Sequence, residues 1–375
     1  MNRLSGLIAM VAIAVSFGGC GTNQAQTTDK GTDTPTAEQP VQTTEMRAEE
    51  ILNTMSLEEK VGQMFFARYP DDETAAADAK SLNLGGYILF GKDFEEKNAE
   101  EVRKMISDCN TAKIPMLIGV DEEGGLVNRV SRNPELRAER FKSPQQLYSE
   151  GGFELIKNDT AEKSELLKSL GINTNLAPVC DVSVDKNAFI HDRTFGADAD
   201  STSEYVKTVV SEMENHGMLS VLKHFPGYGD NGDTHTDVIT DTRAFEVFAE
   251  NDFKPFKAGI DSGADIILVS HNIVTSMDEN YPASLSPKVN EILRNNLGFD
   301  GVVMTDDLVM GALNEYGTAA VLAVQAGNDL LCSTDYKTQT AQVLEAVKNG
   351  EISEERINES VKRILIMKIE NGLVE

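Results

Sequence analysis

The chain has 375 residues, 40% hydrophobic and 25% charged, an ordinary globular composition that excludes wholesale disorder. Its formal net charge of −27 repels phosphate backbones and anionic bilayers, which argues against nucleic-acid partners. Trp is absent and aromatic residues make up only 6%, so Leu, Ile, Val and Ala must fill most of the core.

The N-terminus reads as a processing segment. Arg3 precedes an uncharged stretch from Leu4 to Cys20, with an apolar run from Gly6 to Val15. That run is too short to span a bilayer but has the length of a signal-peptide core. It ends in Phe17-Gly18-Gly19-Cys20, which resembles a bacterial lipobox, with Phe where Leu is preferred. The resemblance implies that residues 1–19 are removed and that Cys20 carries lipid. An ordinary secretory signal with an incidental Cys is the plainer alternative. Residues 20–45 then read as a tether: eight Thr, several Gln and two Pro, with Val41 the only large aliphatic side chain. The other cysteines, Cys109, Cys180 and Cys332, match no zinc or CxxC spacing and read as buried thiols.

From residue 46 to 375 the pattern is one long series. An opening helix is predicted over Arg47–Val61. Short apolar runs follow at Met64–Ala67, Gly86–Phe90, Met116–Val120, Thr174–Val182, Ser220–Leu222, Ile266–Val269, Val302–Met304 and Leu330–Cys332. None alternates cleanly, as befits parallel strands buried on both faces. Helical patterns separate most of them, including Ala99–Asn110, Phe153–Leu170, Ser203–Asn215, Phe245–Asp261 and Pro287–Leu297, and Thr340–Asn349 follows the last. Eight strands at roughly 41 residues per unit predict an α/β fold, a (β/α)8 TIM barrel in a single domain. A doubly wound parallel sheet is the competing arrangement.

Polar residues cluster where these strands end, which is where a barrel builds its active site. They include Asp121-Glu122-Glu123-Gly124-Gly125 with Arg129, then His191-Asp192-Arg193-Thr194-Phe195-Gly196, then the segment from Lys223 to Asp237, then Ser270-His271-Asn272, and finally Thr305-Asp306-Asp307. Gly227-Tyr228-Gly229-Asp230-Asn231-Gly232 fits GxGxxG, but no amphipathic helix follows it, and Asp233 and Asp237 would repel a pyrophosphate. The acids there lack the spacing of a calcium loop. A metal on His224, His235 and Asp233 is conceivable, without standard zinc spacing; no metal or cofactor is called for.

Lys223-His224-Phe225-Pro226-Gly227 followed by Asp233-Thr234-His235 resembles the family 3 glycoside hydrolases, and more narrowly their β-N-acetylglucosaminidase branch. Val120 to Gly125, Asp192 to Gly196 and Val303 to Leu308 match further blocks in the same order. The resemblance implies a retaining hydrolase of β-linked N-acetylglucosamine. It puts Asp306 at the nucleophile position, His235 at the acid/base position and Asp233 as its orienting carboxylate. Asp121, Arg129, Arg193, Lys223 and His224 fall at sugar-binding positions. Leu126 stands where the branch usually has Arg, and Tyr228 where it often has His. Should His235 not carry the proton, Glu122, Asp230 and Asp237 are the next acids to consider.

The residue types suit the chemistry. Retention needs a carboxylate nucleophile and a second group that gives and then takes a proton; a His, titrating near neutrality, can serve. Asp307 is expected on the face opposite Asp306 if the strand continues. The plain structural roles are an N-cap before Leu308–Leu313 for Asp306, an exposed loop histidine for His235, surface ion pairs for Arg129 and Arg193, and strand-end packing or pairing for Lys223 and His224. The sequence thus predicts an exported, lipid-anchored β-N-acetylhexosaminidase at the outer face of the cell membrane (or in the periplasm of a two-membrane cell), acting on peptidoglycan fragments or related glycans. A phosphorylase and a non-catalytic sugar-binding lipoprotein are the alternatives.

Overall fold

The computed structural model describes residues 43–229, 239–313 and 315–374. The signal segment, Cys20 and the tether up to residue 42 lie outside the described residues. So do Asp230, Asp233, His235 and Asp237.

Eight short strands form one parallel sheet: β1 (Phe65–Arg68), β2 (Gly86–Leu89), β3 (Leu117–Val120), β4 (Thr174–Asn175), β5 (Leu219–Phe225), β6 (Ile266–Val269), β7 (Val302–Thr305) and β8 (Leu331–Ser333). Each pairs with the next in chain order, and β8 pairs with β1 in the register Phe65↔Leu331. A parallel bridge between Met304 and Leu330, with Thr305 N–H donating to the Leu330 carbonyl at 3.0 Å, joins β7 to β8 and closes the ring. Closure decides for the TIM barrel over the doubly wound sheet. Inside it, large and small residues interlock. A Cβ on Gly119 would lie 2.4 Å from the ring of Phe66, so only Gly lets that ring fill the barrel interior.

Helices α3 (Asp72–Leu82), α4 (Ala99–Cys109), α5 (Pro144–Ser169), α6 (Ala199–Asn215), α7 (Phe253–Asp261), α8 (Pro287–Glu291), α9 (Ala319–Ala326) and α10 (Tyr336–Lys348) follow the successive strands. The inward stripe of α4, Val102, Met105, Ile106 and Cys109, has the spacing of a helix covering a sheet. Cys109, Cys180 and Cys332 are free buried thiols, and burial pushes the Cys109 thiol up to about 12. No helix among the described residues is long and apolar enough to cross a membrane.

Three of the boundaries that differ from those predicted have a local origin in the sequence. The opening helix is two, α1 (Thr44–Asn53) and α2 (Leu57–Gln63). Ser56 divides them: its hydroxyl accepts from Glu59 N–H at 3.2 Å while the Glu59 carboxylate accepts from Ser56 N–H at 2.9 Å, a capping box. The run Thr174–Val182 is a continuous ladder only over Thr174–Asn175; it meets β5 again at a bridge between Val179 and Lys223, beyond Pro178, which has no N–H to give. Helix α5 begins at Pro144, capped by Ser143, well before Phe153, and is broken at Gly152 with φ 65°.

Candidate active site

A cleft of about 620 Å³ opens at the C-terminal ends of the strands. Asp121, Arg129, Arg193, Lys223, His224 and Asp306 all line it. Six residues scattered across the sequence by the strand-end rule are thus brought to one wall-to-wall space. A register shift in β5 between Leu222 and Phe225 breaks the strand's alternation there, and Lys223 and His224, adjacent in sequence, both line the cleft.

On the β3–β5 side the floor is an ionic row. Lys223 Nζ donates to Asp121 Oδ1 and lies against Glu123 Oε1, each at 2.6 Å. Arg193 grips Glu123 with two bonds, Nε to Oε2 at 3.0 Å and Nη2 to Oε1 at 2.8 Å. Burial of Glu123 opposes ionisation, but the adjoining Arg193 and Lys223 outweigh it and hold the carboxyl well below the usual carboxylate range. Arg193 Nη2 also donates to His224 Nε2 at 3.2 Å. Since that nitrogen accepts, the ring proton is on Nδ1, which donates to Asp181 Oδ2 at 2.7 Å. Both nitrogens are therefore engaged, which leaves His224 no lone pair for a metal ligand bond. The second Asp181 oxygen accepts from Tyr228 N–H at 2.7 Å, and the Tyr228 ring packs edge-on against His224. Tyr228 thus fills its place as a packing residue.

Asp306 follows β7. Its N–H donates to Val269 of β6 at 3.0 Å, and its Oδ1 accepts from Asp307 N–H at 2.8 Å. The strand stops at Thr305, so the expected alternation does not carry on, and Asp307 lines the cleft too. Its carboxylate is committed: Oδ1 accepts from Val309 N–H at 3.2 Å and Thr334 N–H at 3.0 Å, and Oδ2 from the Thr334 hydroxyl at 2.5 Å. The helix that Asp306 was considered to cap does not start at Leu308: only a 3-10 turn over Gly311–Leu313 follows, and it is the Asp307 side chain that closes a turn on Val309 N–H. Fully buried His271 braces the same corner, its Nε2 3.0 Å from the Asp307 carbonyl and its Nδ1 2.7 Å from Ser284 Oγ.

Glu122 is not available as an acid. It is buried, and its carboxylate takes the N–H groups of Arg129 and Val130, each at 2.7 Å, Ser131 N–H at 3.2 Å and the Ser131 hydroxyl, which shapes the turn after β3. Arg193 pairs inside the cleft and not at the surface, and Arg129 forms no ion pair among the described residues. The ends of the segment that carries Asp233 and His235 are fastened by Arg243. Its guanidinium donates to the Gly227 carbonyl at 2.9 Å, to Asp241 Oδ2 at 2.9 Å and to Asp252 Oδ1 at 3.0 Å. Burial raises the Asp252 carboxyl to about 6 against the pull of Arg243. A Cβ on Gly227, at φ 119°, would come 2.5 Å from Asp252 Oδ1, so the chain can approach this cluster only through glycine.

Sequence reasoning named Glu123 only as part of a motif and passed over Asp181, Arg68 and Phe90. Asp181 lies one residue before the end of the apolar run Thr174–Val182, so a search of the strand ends could have found it. The same holds for Arg68, which ends β1.

A sugar-sized cleft, a carboxylate at the end of one strand and a row of paired cations and carboxylates opposite make up the equipment of a carbohydrate-active enzyme. Residues 56–367 match the Glycosyl hydrolase family 3 N terminal domain, and the chain belongs to glycosyl hydrolase family 3. It is 32% identical over 258 residues to a beta-hexosaminidase of Nitrosomonas eutropha, covering 66% of this chain and 73% of that one. It is 29% identical over 379 residues to beta-hexosaminidase LpqI of Mycobacterium tuberculosis, covering 96% and 95%. Among solved structures it resembles a family 3 beta-N-acetylglucosaminidase from Paenibacillus sp. str. FPU-7, with a TM-score of 0.79 and 31% identity. That match takes in 85% of this chain and 63% of the Paenibacillus chain. The protein is a glycoside hydrolase.

Proposed function

We propose that the chain is a retaining β-N-acetylhexosaminidase that removes terminal β-linked N-acetylglucosamine, acting on peptidoglycan fragments. The observation that carries the reading is Asp306 on the cleft wall, with its neighbour Asp307 already committed to Thr334 and Val309. The names borne by the relatives support the sugar.

Asp306 attacks the anomeric carbon as the bond to the leaving group breaks, giving a glycosyl-enzyme ester. His235 donates a proton to the departing oxygen and then takes one from the incoming water, restoring the carboxylate. Asp233 accepts the other ring N–H, fixing the tautomer and stabilising the imidazolium formed in the second step. These two roles rest on the Asp-x-His motif. Asp121, Lys223, Arg193, His224 and Arg129 bind sugar hydroxyls. The first four are held in position by their own pairing, so little order need be imposed on binding.

The test is release of nitrophenol from 4-nitrophenyl N-acetyl-β-glucosaminide, with the first-formed sugar anomer followed by NMR. The β-anomer is expected; the α-anomer first would overturn retention, and no release would overturn the activity. We further propose that Cys20 is lipidated and that the enzyme acts at the outer face of the membrane. Cys20→Ala protein should leave the membrane fraction; if it stays, Cys20 is not the anchor.

A further inference from the structure

Asp307 is fastened on every side although it lies beyond the end of β7. Its side chain is tied to Thr334, just after β8, and to Val309 N–H. Its carbonyl lies 3.0 Å from Nε2 of His271, just after β6. A carbonyl oxygen only accepts, so Nε2 carries a proton and donates it. Nδ1 of the same ring lies 2.7 Å from Ser284 Oγ. Ser284 is fixed in turn: its N–H donates to the Ser270 carbonyl at 3.0 Å, and its carbonyl accepts from Asn328 Nδ2 at 2.7 Å. His271 and Ser284 have no exposed surface, so the imidazole is not placed to touch a sugar. Its bond to Asp307 bears on the nucleophile instead. Asp307 N–H donates to Asp306 Oδ1 at 2.8 Å. With the Asp307 side chain held from the β8 end and its carbonyl from the β6 end, the direction of that N–H is set from both strands that flank β7.

We infer that His271 is a positioning residue for the nucleophile: it holds the Asp307 carbonyl, and through the Asp307 N–H it sets the orientation of the Asp306 carboxylate. This rests on reading Asp306 as the nucleophile. It gives the two ring nitrogens unequal duties, Nε2 fixing the frame of the reacting carboxylate and Nδ1 anchoring the ring. Misplacing a reacting group by about 1 Å can cost on the order of 10²-fold in rate. The loss falls on the transition state, because the ground-state sugar is bound by other residues.

The experiment compares wild type with His271→Leu, His271→Gln and His271→Asn. Chemistry is read as kcat/KM for 4-nitrophenyl N-acetyl-β-glucosaminide, and ground-state binding as the inhibition constant of N-acetylglucosamine. His271→Leu should lose about 10- to 100-fold in kcat/KM, with the inhibition constant within about 2-fold of wild type. Gln carries an amide donor to the place of Nε2, whereas the shorter Asn carries one to the place of Nδ1. His271→Gln should therefore stay within about 5-fold of wild type, and His271→Asn should fall with His271→Leu. Equal kcat/KM for Gln and Asn overturns the inference. So does a loss that follows the thermal unfolding midpoint across the variants, or an inhibition constant that rises as far as kcat/KM falls. Should His271→Leu not fold, the Gln and Asn pair decides alone. The underlying reading is tested on wild type: 5-fluoro-N-acetylglucosaminyl fluoride should label Asp306, as located by mass spectrometry. A label elsewhere, or none, removes Asp306 as nucleophile, and the positioning role falls with it.

Discussion

Two buried carboxylates, one at each end of the barrel, gather cations in similar ways and to different ends. At the mouth, Glu123 takes three contacts from Arg193 and Lys223, which themselves line the cleft. At the base, Asp329, just before β8, has no exposed side chain. It receives Arg294 at 2.5 Å, Arg363 at 3.2 Å, Arg356 at 3.4 Å, Ser360 Oγ at 2.7 Å and Val303 N–H at 3.1 Å. Arg356, Ser360 and Arg363 belong to the C-terminal helix α11 (Glu354–Glu370), so this cluster bolts that helix to the strands. The same chemistry does mechanical work below and presents donors to a ligand above. A charge cluster therefore signals function through the open space its members face, not through its pairing.

The comparison predicts that changes at the mouth remove turnover and changes at the base remove stability. The largest effect is expected for Asp306→Ala. Turnover should fall by at least about 10³-fold, with thermal unfolding near wild type, because the carboxylate supplies the covalent step. Near-normal turnover would remove Asp306 as nucleophile, and loss confined to Asp307→Ala would move the role by one residue. Next comes His235→Ala. General acid catalysis supplies about 10²–10⁴-fold, so the loss should be large for glycosides with basic leaving groups and smaller for a nitrophenyl glycoside. Asp233→Ala should show a milder form of that pattern, with the alkaline limb of the pH profile moved down as the imidazolium loses its anion. Equal losses of His235→Ala on both substrates would mean that His235 does not transfer the proton.

Glu123→Gln and Asp329→Asn set the two ends against each other directly. Removing one member of a buried ion cluster typically destabilises by about 3–5 kcal/mol. Asp329→Asn should show that full loss in denaturant midpoint, with kcat/KM of the folded fraction unchanged. Glu123→Gln should unfold less readily than Asp329→Asn, because Lys223 keeps Asp121 and the cleft admits water, but its KM should rise as Arg193 and Lys223 lose their position. The reverse ranking, in either observable, would break the comparison.

Much of this was legible in the sequence. Strands buried on both faces are plain apolar runs, and Ile266–Val269 was predicted residue for residue. The helix break at Ser56 was written in Ser-x-x-Glu but masked by an apolar pattern running through it. Pro178 marked the early end of β4 in the same way. The cleft residues were found because each lies in a segment that follows a strand. Their pairing was not, since Lys223 and Asp121 stand 102 residues apart and only barrel closure brings them together. Asp306 and Asp307 could not be told apart by strand period because the strand ends before them. For Asp233 and His235 the motif remains the whole argument.

The smallest expected effect also lies at the base. Lys368, on α11, is fully buried, and its Nζ donates to Gln63 Oε1 at 2.9 Å and to the Gly85 carbonyl at 3.1 Å, both uncharged. Burial pushes its pKa down to about 7 from 10.5. Between those values the unfolded chain binds a proton that the folded chain does not, so this group's contribution makes stability rise with pH. The full penalty applies below about pH 7, where the folded state must bury the charge or release it; it fades as pH approaches 10.5, where the unfolded lysine is neutral as well. Other groups titrate in the same range, so the quantity to measure is the difference in unfolding free energy between wild type and Lys368→Met. Lost hydrogen bonds to Gln63 and Gly85 add an offset that does not vary with pH. Across pH 7.5–9.5 the wild type should gain on the variant by at most about 1.4 kcal/mol per pH unit. A difference that stays flat over that window would mean that Lys368 is charged in the folded protein, held by those two oxygens alone. The base of the barrel would then hold a buried ammonium on two uncharged oxygens, while each buried cation of the mouth has a carboxylate beside it.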